Sequence, residues 1–213
     1  MSHHGGLRPV SPRDREEGYI DMPPVMEDEA AVAAAARRIY ERLVECGRVQ
    51  ELEDDVDCFQ RQLRLHFRRL PARYLVDMCG SSTVAVNVKA EEVMIHRKLL
   101  ADCADPANRP VVHARFLTSF QVAVDDHHTH PTIPSSDLIR TVYLHEIVFG
   151  CLDKPKLLSQ LSALVSEIGL NIREAHVYST VDGFSLSVFL VDGWYKEEAG
   201  GLLKAIKEAL RSN

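Results

Sequence analysis

The stretch DKPKLLSQLSALVSEIGLNIREAHVYSTVDGFSLSVFLVDGW, residues 153–194, decides the fold. Leu157, Leu158, Leu161, Leu164, Val165 and Ile168 recur at the three- and four-residue steps of an amphipathic helix. LNIREAHVYS then reads as extended, VDG as a tight turn, and FSLSVFLVD sets Phe184, Leu186, Val188 and Leu190 on one face by strict alternation. The two extended segments therefore form a hairpin.

Working outward, YLHEIVFG (143–150) reads as a strand. Residues 197–211 carry Leu202, Leu203, Ile206, Ala209 and Leu210 at helical intervals. The resulting order, β-α-β-β-α, predicts an α+β fold of ferredoxin-like type, with helices on one face of an antiparallel sheet. Such a sheet takes a closing strand. Either the domain has three strands, or the fourth place is filled by the segment 111–124 or by another chain.

Upstream, residues 1–26 are polar, carry prolines and show no apolar period, which predicts a disordered tail. EDEAAVAAAARRIYERLVECG places Val32, Ala35, Ile39, Leu43 and Cys46 on one helical stripe that ends at Gly47, and a second helix runs from 56 to 70 before Pro71. Residues 74–88 read as extended with an interruption at CGSS, 90–104 as helix and 111–124 as extended. These three make a β-α-β unit. DDHHTHPTIPSSD (125–137) is the clearest linker. The expected division is a tail (1–26), an N-terminal α+β domain (27–124), a linker (125–141) and the C-terminal domain (142–213).

A net charge of −6 leaves no cationic surplus for nucleic-acid phosphates, and no segment approaches the about 18–20 apolar residues of a membrane-spanning helix. The start MSHHGGLRPV lacks a signal-peptide core, so a cytoplasmic protein is expected. Cys46, Cys58, Cys79, Cys103 and Cys151 are odd in number, dispersed and never CxxC, which predicts reduced thiols and neither a disulfide framework nor a zinc knuckle.

Residues 153–194 resemble the ACT domain of plant Raf-like serine/threonine/tyrosine protein kinases. RIYERLVECG, LRLHFRRLPARYLVD and VKAEEVMIHRKLLADCADPANRPVVHARFL resemble upstream blocks of the same kinases. The resemblance implies an ACT regulatory domain that senses an amino-acid-like ligand or mediates pairing, and that biases an attached or partner kinase. It also implies that kinase catalysis resides in a further C-terminal domain, so no enzyme activity, catalytic residue, metal or cofactor is expected of this chain. Two departures stand out. Residues 79–84 interrupt what is a continuous strand in the family, and Lys156 stands where ligand-binding ACT domains usually carry glycine.

The candidate ligand-binding residues are Asp153, Lys154, Pro155, Lys156, Leu157 and Leu158. Asp153 is placed to cap the following helix, leaving first-turn N–H groups free for a carboxylate or phosphate. The structural alternative is that Asp153 and Pro155 only start a helix. A pure interaction module, pairing through strand edges and the apolar sheet face, is the competing functional reading. GSSTVAVNVK (80–89) lacks the GxGxxG spacing of a kinase glycine loop. His127, His128 and His130 are better read as linker than as metal ligands. His145 and His176, on strands, could meet across the sheet, and Arg64, Arg68 and Arg69 could form a basic face.

Overall fold

The computed structural model describes residues 29–48, 55–80, 89–123 and 139–212. Four helices come first: α1 (Glu29–Glu45), α2 (Val56–Arg69), α3 (Ala72–Cys79) and α4 (Ala90–Asp102). A 3-10 turn (Pro106–Asn108) leads into β1 (Val111–Ala123), followed by β2 (Ile139–Leu152), α5 (Leu157–Glu167), β3 (Asn171–Ser179), β4 (Phe184–Asp192) and α6 (Gly200–Ser212). The four strands form one antiparallel sheet in the order β1-β2-β4-β3. The fold is thus mixed α+β, and β1, which the sequence grouped with the N-terminal helices, pairs with β2 at the edge where a closing strand was needed.

Alternation along β2 decides how the layers stack. Ile147, Phe149 and Cys151 point into a cluster with Leu157, Leu161, Leu164 and Val165 of α5, Phe189 and Val191 of β4, and Leu202 and Ile206 of α6. Val148 points the other way, into a cluster with Phe59, Leu63, Phe67, Tyr74, Val93 and Leu100 of the N-terminal helices and with Tyr178 and Leu186 of the sheet. Period-two alternation feeds both layers from one strand. Helices therefore cover both faces, whereas the sequence expected one. At Gly150 the approach is close: a Cβ there would sit 3.3 Å from the Leu99 carbonyl oxygen of α4.

One expectation is corrected. Residues 74–79 form a helix and not a strand, because Pro71 ends α2 and its fixed φ of −66° serves as N-cap to α3. Tyr74 and Met78, four residues apart, then face the core together. Residues 81–88, which hold most of the glycine-loop lookalike and of the interruption, lie outside the described residues, as do the tail and the histidines of the linker.

All five cysteines are free thiols. Cys79, Cys103 and Cys151 are buried, and burial pushes Cys79 and Cys151 up to about 11, far from thiolate reactivity. His145 and His176 do not meet. His145 lies opposite Val191 and edge-on to Phe116, on the α5–α6 side, while His176 lies opposite Val188 and stacks on Tyr178 on the other face. Arg68 and Arg69 are engaged with Glu29 and Asp182.

Candidate functional site

The turn between β2 and α5 carries the residues that the sequence singled out. The Asp153 N–H donates to the Gly183 carbonyl at 2.9 Å, which ties this turn to the β3–β4 hairpin. Residues 154–157 close through the Leu157 N–H donating to the Lys154 carbonyl at 3.2 Å. Lys156, with φ of 65° and ψ of 10°, is the N-cap of α5 and makes no side-chain capping bond. Asp153 therefore does not cap the helix, which corrects the sequence expectation: the left-handed residue at 156 adds a turn between them. That left-handed backbone also explains why glycine suits this position.

Beside the turn, a groove of about 620 Å³ runs between α5, the end of β2 and the residues before β1. Of the six candidates, Lys154 and Leu157 line it; Asp153, Pro155, Lys156 and Leu158 do not, and Leu158 is exposed. Its floor is apolar, from Leu157, Leu161, Leu164 and Leu210, and its walls hold Arg109, Gln160 and Glu167. The Arg109 guanidinium is already committed. Its Nε donates to the Cys103 carbonyl at 2.7 Å, one Nη donates to the Ala104 carbonyl at 2.8 Å, and it lies over the Phe184 ring. Lys154 also lines the groove, and among the described residues no side-chain hydrogen bond or ion pair fixes its ammonium group. The groove offers a cation, a carboxylate and an aliphatic floor within a volume typical of small-molecule sites.

Gln160, Ala163, Leu164 and Glu167 were missed, although they follow Lys156 and Leu157 along one helical face and the periodicity could have found them. Arg109 and Leu210 had no such signal, since only tertiary packing brings them there.

A second polar network joins the helical layer to the sheet. Arg115 of β1 donates from Nε to Glu146 and from Nη2 to Glu92 of α4, both at 2.8 Å. Against burial, those two carboxylates raise the guanidinium above its ordinary pKa. Tyr74 Oη lies 3.2 Å from His66 Nε2 and 2.9 Å from His96 Nδ1, a wholly buried chain. Burial holds both imidazoles neutral, at about 3. For His96, Arg115, His113 and Lys89 add to that depression.

No family model matches the chain, and no solved structure matches it. Among curated proteins, serine/threonine-protein kinase STY17 of Arabidopsis thaliana is 38% identical over 199 residues, spanning 72% of this chain and 34% of that kinase. Serine/threonine-protein kinase STY46 of the same plant is 35% identical over 218 residues, spanning 81% of this chain and 36% of the kinase. The chain is related to these plant kinases and spans about a third of their length. These matches overturn the expectation that no enzyme activity belongs with this chain: both relatives are protein kinases, and the similarity runs through 72% and 81% of its residues. No helix among the described residues is long and apolar enough to cross a membrane.

Proposed function

We propose that this chain is a regulatory region working with a serine/threonine protein kinase in the cytoplasm, and that its sheet with α5 and α6 is an ACT-type, ferredoxin-like domain receiving a small amino-acid-like ligand. The observation that carries the reading is the groove beside the 153–156 turn, where Lys154 and Glu167 flank an aliphatic floor. Lys154 pairs with the ligand carboxylate, and Leu161, Leu164 and Leu210 receive the side chain. The strand order β1-β2-β4-β3 with α5 and α6 on one face supports the ferredoxin-like assignment.

Occupancy alters kinase output only if the two states of the region bind the ligand with different affinity. The layer junction through Arg115 is the contact such a shift would alter. Isothermal titration with each common amino acid tests the reading. Saturable binding to one chemical group of amino acids, weakened at least tenfold in Lys154→Ala, supports it; heats no larger than dilution for all of them would end it.

A second reading has its own support. The far half of β1 is an outer strand with Leu117 39%, Phe120 46% and Val122 41% exposed, apolar side chains suited to pairing between copies of this domain. Light scattering separates the two, since pairing without ligand gives a dimer whose mass does not respond to amino acids.

A further inference from the structure

A second cavity, of about 390 Å³, opens between the helical layer and the sheet face opposite α5. Its lining holds four carboxylates, those of Asp77, Glu92, Glu146 and Glu174, against the two cations Lys89 and Arg115. Arg115 is neutralised by its bonds to Glu92 and Glu146. Asp77 accepts from the Tyr178 hydroxyl at 2.9 Å and keeps further acceptor capacity, as any carboxylate with one donor does. Val188, Leu190 and Leu117 make the floor apolar, and the Tyr178 ring, stacked on His176, gives an aromatic wall.

The independent observation is His96. It lines this cavity, it is 1% exposed, and its Nε2 has no hydrogen-bond partner among the described residues. The Tyr74 hydroxyl can donate to only one imidazole. In the tautomer with Nδ1–H of His96 donating to Tyr74 and the Tyr74 O–H donating to His66, Nε2 of His96 is a bare acceptor. In the opposite arrangement, with the Tyr74 O–H donating to Nδ1 of His96, Nε2 carries the proton and lacks an acceptor, so the nitrogen is without a partner in both. A buried ring nitrogen left without a partner is costly, and the carboxylates of the lining outnumber its cations by four to two.

We infer that this cavity is a binding site for a small organic cation, a protonated amine or guanidinium on a short methylene chain. The charged N–H groups reach Glu174, Asp77 and the His96 imidazole, and the methylenes lie on Val188 and Leu190. This site lies across the sheet from the groove, is of different ligand chemistry, and stands or falls independently of it.

The test is titration of the whole chain with agmatine and with putrescine at fixed ionic strength, followed by calorimetry and by thermal midpoint, with succinate as the anionic control. The expected result is saturable binding of at least one of the two cations and none of succinate. That binding is weakened at least tenfold in Glu174→Gln, an exposed substitution that leaves the core intact, and is unchanged in Lys154→Ala. Binding of neither cation, an equal response to succinate, or undiminished affinity in Glu174→Gln would overturn the assignment.

Discussion

Tyr74 of α3 and Tyr178 of β3 meet edge to face, with ring centroids 5.0 Å apart and planes at 81°. This contact joins the helical layer to the sheet across about a hundred residues of chain, and it is the centre of a polar cluster. Tyr178 donates to Asp77, its ring carries the Arg73 guanidinium at 5.3 Å, and Arg73 also donates to the Val177 carbonyl. The two tyrosines differ in what their hydroxyls do. Replacing Tyr74 with Phe strands His66 and His96 in the interior, so urea denaturation should show a loss of about 1–3 kcal/mol. Tyr178→Phe breaks one bond near solvent and should cost about 1 kcal/mol or less.

The buried imidazoles make stability depend on pH. His66 and His96 sit at about 3 in the folded chain and near 6.5 when unfolded, so below pH 6.5 the unfolded state binds more protons and stability falls with acidification. Burial lowers His113 and His145 as well. Between pH 6 and 5, His66 and His96 each approach a slope of about 1.4 kcal/mol per pH unit. His96→Gln should remove one of these contributions. Chemical denaturation at pH 5.0, 5.5 and 6.0 measures it, and an unchanged slope would show that His96 is already charged in the fold.

Arg115 bridges α4 and β2 through two carboxylates that are each more than three-quarters buried. Arg115→Met leaves Glu92 and Glu146 facing each other with no counter-charge, and should cost about 2–3 kcal/mol. Restoring neutrality with Glu92→Gln in the same chain should recover part of the loss. A double-mutant cycle reads the coupling directly.

Lys156 holds a left-handed conformation that glycine adopts without strain. Lys156→Gly should therefore raise stability by up to about 1 kcal/mol, while Lys156→Val lowers it, both measured by thermal melting. Because Lys156 does not line the groove, neither change should alter ligand affinity more than about twofold, whereas Lys154→Ala should.

How much of this was legible in the sequence follows from the range of the interactions. The segment 153–192 was readable because each element repeats its own signal: leucines at helical spacing in α5, alternation in β4, and VDG between two strands. Residues 72–79 were misread because YLV looks extended locally, while the signal for a helix, Tyr74 paired with Met78 after Pro71, spans only two turns. The candidate site divided in the same way. Lys154 and Leu157 were found from their place at a helix start, but Arg109 reaches the groove through bonds to Cys103 and Ala104 that no local pattern encodes. The second face of the sheet was also invisible, since its cover comes from α1–α4, which precede the whole sheet in the chain.

The most direct test of the central claim is the thermal midpoint of the wild-type chain and of Ala163→Trp, measured with and without saturating amino acids. Ala163 is an exposed groove residue, so an indole there fills the groove and leaves the core undisturbed. A ligand that binds the folded state at a hundred times its dissociation constant adds about 2.7 kcal/mol, a shift of several degrees. The account predicts that shift in the wild type for at least one amino acid and its loss in Ala163→Trp. A shift of equal size in both proteins would place the ligand elsewhere and contradict it.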